Sequence, residues 1–178
     1  LFGIPGTVGG MLAMNAGAYG DSISNHLLDA EIFDKRDNSV KIFTSRKLLF
    51  SYRDSEIKRK KLIVLSARFS LVKREKCEIL EELSKIRATR NNSQPLSQKN
   101  LGSVFKKCEN YSASYLIDRC NLKGMRVGDI FVSNKHAGFI VNCGGATSKD
   151  VLELAAIVEN QVFNKFGVRL QKEVKYIF

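Results

Sequence analysis

Chemistry in this chain gathers in a glycine-rich opening and at three scattered polar residues. The opening, Gly3-Ile4-Pro5-Gly6-Thr7-Val8-Gly9-Gly10, runs on to Asn15, Gly17, Ala18, Tyr19 and Gly20, placing six of the 13 glycines in the first twenty positions. Backbone N–H groups with no side chain in front of them suit a pyrophosphate, above all where the loop enters a helix. A pair of glycine turns with no ligand has the same composition, and the stretch alone leaves both readings open. It is neither G-x-G-x-x-G nor a P-loop, which needs Lys followed by Ser or Thr after the last glycine. The other three are Arg53 in Tyr-Arg-Asp-Ser, Ser103 after a glycine, and Glu173 between Lys172 and Val174. By residue type these are a carboxylate binder, a hydroxyl proton donor and a carboxyl group. Each also has a plain reading: a surface ion pair of Arg53 with Asp54 or Glu56, a turn or cap serine, a solvent-facing strand carboxylate beside lysines. No histidine or carboxylate stands at a spacing that would build a triad or a metal site, and no metal is expected.

These residues need elements to hold them. Leu28–Ile32 and Val40–Ile42 alternate apolar and polar residues around Arg36-Asp37-Asn38, the pattern of a β-hairpin. Ser45–Leu49 reads as one helical turn, and 62–72 as a long apolar strand. Residues 75–90 change to helical period, with Ile79, Leu80, Leu83 and Ile86 on one face. The polar stretch Asn91-Asn92-Ser93-Gln94-Pro95 is then the expected domain boundary. Beyond it come a short helix near 114–119, strands at 131–132 and 139–141, and a helix over 148–166. That last helix opens with Thr147 and Asp150 as a capping box and closes at Gly167. Partial alternation over 168–176 predicts a final strand. Strands and helices are mixed without regular β-α alternation, so the fold class is α+β.

The chain has 178 residues and a net charge of +11, with a basic run at Lys58-Arg59-Lys60-Lys61. The run holds no aromatic residue and precedes an apolar strand, which reads as a solvated turn more than a nucleic-acid surface. The excess charge equally suits steering of an anionic small molecule. No apolar run reaches bilayer length. Cys77, Cys108, Cys120 and Cys143 are scattered, as expected of reduced thiols in a cytoplasmic protein.

Five motifs together carry a resemblance. The opening segment, Tyr52-Arg53-Asp54-Ser55, Gly102-Ser103-Val104-Phe105-Lys106, Ser133-Asn134-Lys135-His136-Ala137-Gly138-Phe139-Ile140-Val141-Asn142 and Leu170-Gln171-Lys172-Glu173-Val174 stand in this order along the chain. They resemble the motifs of the UDP-N-acetylenolpyruvoylglucosamine reductase (MurB) family, in its compact branch lacking a tyrosine-bearing loop. The resemblance implies a flavoenzyme of peptidoglycan precursor synthesis that takes hydride from NADPH through FAD to UDP-N-acetylglucosamine enolpyruvate. It implies Arg53, Ser103 and Glu173 as catalytic, Ser103 as proton donor and the other two as stabilisers of an enolate-like intermediate. Gly3, Ile4, Pro5, Gly6, Thr7, Gly9, Gly10, Asn15, Gly17, Ala18, Tyr19 and Gly20 would contact FAD, and Tyr52, Lys106 and Lys135 the substrate, with Arg87 and Arg90 as further cations.

The implied organisation is a partial FAD-binding domain (1–92), a substrate-binding domain (93–167) and a strand (168–178) returning to the first. The family's Gly-Gly-Gly-Ser-Asn flavin motif is not in this sequence and Leu1 is not a methionine, so a carboxyl-terminal portion is expected. Lys107-Cys108 stands where the family often has Asn-Pro, which puts an asparagine contact to substrate in question. A monomer without membrane or nucleic-acid partners is expected. The competing readings are a related FAD-linked oxidase of the vanillyl-alcohol-oxidase type and a non-catalytic fragment binding anionic ligands or nucleic acid.

Overall fold

The computed structural model describes residues 1–108 and 110–177. The chain forms two compact units, Leu1–Ser84 and Lys85–Phe178. Each has its own core, and the mixed α+β class expected from the sequence is the one found.

In the first unit, helix α1 (Val8–Ala13) leads to a two-residue hairpin of β1 (Gly17–Ala18) and β2 (Asp21–Ser22). A three-stranded antiparallel sheet follows, with β3 (Leu27–Asp34) between β4 (Ser39–Thr44) and β5 (Ile63–Phe69). Alternation in β3 buries Ala30 and Ile32, and a register shift after Leu27 lets that residue join them in a core with Leu12, Leu48, Ile57 and Leu62. Each such leucine or isoleucine contributes about 1.5–3 kcal/mol on burial. The β3–β4 turn is closed by Asp34, whose Oδ1 accepts from Arg36 N at 3.0 Å and Arg36 Nε at 2.9 Å. The guanidinium holds the Asp34 carboxyl far below the usual carboxylate range. A helical turn at Ser45–Leu48 and the short helix α2 (Glu56–Arg59) flank the segment between β4 and β5.

Helix α3 spans Lys76–Ser93, and the division between the units falls inside it. It therefore runs through Asn91-Asn92-Ser93, where the sequence predicts a break. Asn and Ser disfavour a helix by only a few tenths of a kcal/mol, and the Ser93 and Thr89 hydroxyls donate to the carbonyls four residues back, at 2.8 and 2.9 Å. The helix stops ahead of Pro95, where Gln94 precedes a proline ring. No residue of α3 is buried, so its predicted apolar face of Ile79, Leu80, Leu83 and Ile86 packs no core.

The second unit is a four-stranded antiparallel sheet ordered β6-β9-β8-β7: β6 (Lys99–Ser103), β7 (Arg126–Val127), β8 (Ile130–Val132) and β9 (Phe139–Asn142). Helices α4 (Ala113–Arg119) and α5 (Ser148–Phe166) supply Leu116, Ile117, Leu154, Val158 and Val162 to a core shared with Ile130, Val132 and Ile140. The α5 ends match the expectation: Thr147 and Asp150 form the capping box and Gly167 is left-handed at φ 69°. The tail forms no regular strand among the described residues. Lys172 bridges Phe105, residues 171 and 173 exchange backbone bonds with Lys106 and Val104, and Leu170 fills the second core, so this part of the tail pairs within its own unit. The four cysteines are free thiols.

Candidate active site

The glycine-rich opening builds a capped helix and a tight hairpin. Thr7 Oγ1 accepts from Gly10 N at 3.1 Å and caps α1, leaving Gly3, Pro5, Gly6 and Thr7 exposed and Ile4 and Gly9 half-buried. Past α1, Asn15 turns left-handed at φ 42°, and Gly17 pairs with Ser22 and Ala18 with Asp21. The turn uses Tyr19 (φ 55°) and Gly20 (φ 83°), the two successive positive φ angles of a type I′ hairpin. Glycine at 17 answers a close approach: a Cβ there would lie 2.6 Å from the Asp21 carbonyl oxygen. Asp21 Oδ2 contacts His26 Nε2 at 2.6 Å, and Asp21 Oδ1 accepts from Asn25 Nδ2 and Ser22 N at 2.8 and 2.7 Å. His26 first, then Asn25 and the Ser22 amide, bring the Asp21 carboxyl down to about 2.

Tyr52-Arg53-Asp54-Ser55 is a tight turn in which Ser51 and Asp54 exchange backbone bonds of 3.0 and 3.2 Å, with Arg53 left-handed at φ 56°. Three contacts fasten it to the opening segment. Ser55 Oγ donates to Ala13 O at 2.8 Å, Asn15 Nδ2 donates to Ser51 O at 3.0 Å, and Arg53 Nη2 reaches Gly17 O at 3.4 Å. The Arg53 guanidinium also lies 5.0 Å from the centre of the exposed Tyr52 ring. The neighbouring acids are engaged by the basic run: Asp54 by Arg59 and Lys58, Glu56 by Lys60 and Arg59. These cations hold both carboxyls below the usual range, Arg59 chiefly for Asp54 and Lys60 for Glu56.

In the second unit Ser103 ends β6 and is exposed, just after Gly102 at φ 74°. Asn100 shapes that turn: its Oδ1 accepts from Gly102 N at 2.8 Å while its Nδ2 donates to Gln98 O and Pro95 O at 2.8 and 3.1 Å. Val104 N donates to Gly138 O at 3.0 Å, and Val104 O accepts from Glu173 N at 2.8 Å. Ser103 and Glu173, seventy positions apart, thus stand on backbones joined through Val104. Lys106 N donates to Gln171 O at 2.8 Å in the same pairing. Lys135 is exposed, and its ammonium caps the end of α3 by donating to Asn91 O at 2.5 Å. Arg87 and Arg90 lie on α3. Lys172 pairs with Glu159 at 3.2 Å. A cavity of about 580 Å³ beside β6 is lined by Asn100, Leu101, Thr147, Val151, Lys175 and Tyr176.

The fold therefore gathers the expected residues into two groups: Asn15, Gly17 and Arg53 in the first unit, and Ser103 and Glu173 in the second. Sequence reasoning passed over Ser55, Asn100, Ser133 and His136, which act by holding backbone. The N-cap residue type of Ser55 and the Asx-type spacing of Asn100 to Gly102 are the signals that would have found two of them.

Residues 94–177 match the family described as UDP-N-acetylenolpyruvoylglucosamine reductase, C-terminal domain. Over 98% of its length the chain is 46% identical to the UDP-N-acetylenolpyruvoylglucosamine reductase of Latilactobacillus sakei and 47% identical to that of Agathobacter rectalis. Residues 94–177 thus carry the C-terminal domain of the UDP-N-acetylenolpyruvoylglucosamine reductases, and the chain is similar to part of these relatives along nearly its whole length. It spans 57% and 55% of those two relatives. The crystal structure of UDP-N-acetylenolpyruvylglucosamine reductase (MurB) from Thermus caldophilus is similar over 98% of this chain and 61% of that one, at 37% identity and a TM-score of 0.84. The tight turns at Gly17–Ser22, Ser51–Asp54 and Gly102–Ser103 thus sit in a fold similar to that of the Thermus caldophilus protein.

Proposed function

We propose that this chain is the flavin- and substrate-handling portion of an NADPH-dependent reductase, a UDP-N-acetylmuramate dehydrogenase. It would convert UDP-N-acetylglucosamine enolpyruvate to UDP-N-acetylmuramate in the cytoplasm, as a monomer, for cell-wall synthesis. The observation that carries the reading is the Glu173–Val104 pairing, which joins the backbone of the Leu170–Val174 motif to that of the Gly102–Lys106 motif.

The residues of the opening segment fit FAD. Gly3, Pro5, Gly6 and Thr7 are exposed at the entrance to α1, and the buried Asn15 Oδ1 has no hydrogen-bond partner among the described residues. Gly3, Gly6, Thr7, Gly9, Gly10 and the Gly17–Gly20 hairpin would hold the cofactor, with Ile4 and Pro5 lining it. The chemistry supplied by bound FAD is transfer of hydride from NADPH to C3 of the enolpyruvyl group.

The remaining steps belong to side chains of this chain. Hydride at C3 leaves negative charge on C2 and its carboxylate, which needs fixed donors. Arg53 supplies a two-pronged contact to that carboxylate. Glu173 is assigned to stabilise the same developing anion. Ser103 then transfers its Oγ proton to C2: the O–H bond breaks, the C–H bond forms, and solvent reprotonates the exposed hydroxyl. Tyr52, Lys106 and Lys135 are assigned to the anionic sugar nucleotide, with Arg87 and Arg90 as further cations.

Flavin absorbance with NADPH added before the enolpyruvyl sugar nucleotide separates the two half-reactions. Ser103→Ala is expected to leave flavin reduction intact and slow the second half-reaction by about 10²–10⁴. An unchanged second half-reaction in Ser103→Ala overturns the assignment.

A further inference from the structure

Between β8 and β9 the chain turns through Ser133-Asn134-Lys135-His136-Ala137-Gly138, a motif to which the proposed chemistry assigns only Lys135. Ser133 is buried, and its Oγ accepts from Lys135 N at 3.1 Å and His136 N at 3.3 Å. That hydroxyl satisfies two turn amides and folds the His136 ring back over the chain. His136 Nδ1 accepts from Gly138 N at 3.1 Å, which requires a neutral imidazole with its proton on Nε2. The ring meets Phe139 edge-on, with centroids 4.9 Å apart. It also presses on Gly138, where a Cβ would lie 3.1 Å from His136 Cε1 and 3.2 Å from Ser114 Cβ.

The Gly138 amide fixed by His136 belongs to the residue whose carbonyl holds Val104 N at 3.0 Å, and Val104 O in turn holds Glu173 N at 2.8 Å. The β6–β9 ladder shifts register between Asn100 and Ser103, so Ser103 rejoins the sheet opposite Phe139, beside these bonds. Three consecutive hydrogen bonds run from one imidazole to the Glu173 amide, passing through Val104, the residue that follows Ser103.

We propose that neutral His136 is the positioning residue for Ser103 and Glu173, acting through Gly138 and Val104, and that its protonation releases them. The inference rests on the reductase reading for its consequence, and on the hydrogen bonds for its mechanism. A protonated Nδ1 would face the Gly138 N–H donor to donor. Burial, the largest influence, holds the imidazole below its ordinary pKa; Lys123 lowers it further, while its own backbone bond and Asp118 oppose this. Lys123 and Asp118 pair with each other at 2.9 Å, and Lys135 is drawn to Asn91 O. The neutral ring is thus favoured in the fold, and the bond is present above the imidazole's ordinary pKa and lost as pH falls through its depressed one.

The test is amide exchange and histidine ¹⁵N spectroscopy on the 178-residue chain from about pH 7.5 to about pH 4.5. As His136 titrates, the protection factors of Gly138 and Val104 are expected to fall together by about tenfold, the size of one lost hydrogen bond. His136→Asn places a non-titrating acceptor on the amide two residues on, so protection is expected to hold at every pH; His136→Phe is expected to lack it throughout. Protection that stays constant while wild-type His136 titrates, or His136→Asn as unprotected as His136→Phe, overturns the relay. In the FAD-loaded protein, the second half-reaction is expected to fall in acid with the His136 midpoint and to stay flat in His136→Asn. If Ser103→Ala blocks that half-reaction but His136→Asn keeps the wild-type acid limb, the positioning role is overturned and the reductase reading stands. If Ser103→Ala does not block it, the reductase reading falls while the relay is judged on exchange alone.

Discussion

Ser55→Ala removes a hydroxyl that ties two distant motifs together. Its side chain is fully buried, donates to Ala13 O at 2.8 Å and accepts from Lys58 N at 3.4 Å, at the start of α2. Ala13 closes the six-residue α1, where carbonyls have no partner inside the helix. Loss of the cap costs about 0.5–1 kcal/mol, at the weak end because that bond is long. Leaving the Ala13 carbonyl without its donor costs about 1–2 kcal/mol more, for a total of about 2 kcal/mol against the stability of the first unit. Urea unfolding followed by circular dichroism reads this as a lower midpoint at unchanged slope. Ser66→Ala is the control, since that hydroxyl is exposed and donates to Glu31 at 3.2 Å; its effect stays within about 0.5 kcal/mol. A Ser55→Ala midpoint indistinguishable from that of Ser66→Ala would refute the idea that this hydroxyl fastens the Tyr-Arg-Asp-Ser turn to the glycine-rich helix.

Three further outcomes follow from single contacts. Gly17→Ala drives a methyl to 2.6 Å from the Asp21 carbonyl, so the Gly17–Ser22 pairing opens at a cost of about 1–3 kcal/mol, seen as loss of cross-strand proton contacts. Asp21 titrates at about 2 against an ordinary 3.8, so its contribution is complete above the ordinary value and drains away as pH falls to about 2; carbon NMR titration of His26→Gln should find the carboxyl moved back upward. Leu154→Ala empties a fully buried site in the second core and is expected to lower the urea midpoint by the equivalent of about 2–5 kcal/mol.

The elements most legible from residue types were those whose causes are local. Helix 148–166 carries its own start in Thr147 and Asp150, its own apolar stripe, and its own stop in Gly167, all within a few residues of the backbone they govern. The β3–β4 hairpin likewise combines alternation with turn residues. Motif resemblance singled out Arg53, Ser103 and Glu173, yet could not say what holds them. The contacts from Ser55, Asn15 and Arg53 to the opening segment cross 36 to 42 residues, and no periodicity encodes a bond of that span.

Where local signals were weak, long-range packing decided. Asn91 to Ser93 looked like a boundary because their propensities lean away from helix, but that bias is only a few tenths of a kcal/mol and α3 continues to the residue before Gln94-Pro95. The stripe Ile79-Leu80-Leu83-Ile86 makes an apolar face by geometry alone; burial needs a partner surface, and α3 buries none of its residues. Alternation over 168–176 marked an extended segment without naming its neighbour, and the neighbour is residues 104–106 of the same unit. His136 shows the division most sharply. Its identity and spacing to Gly138 lie in the sequence, but its link to Ser103 and Glu173 exists only once β6, β9 and the tail lie side by side, because a hydrogen bond forms between whatever groups the folded chain brings within 3 Å.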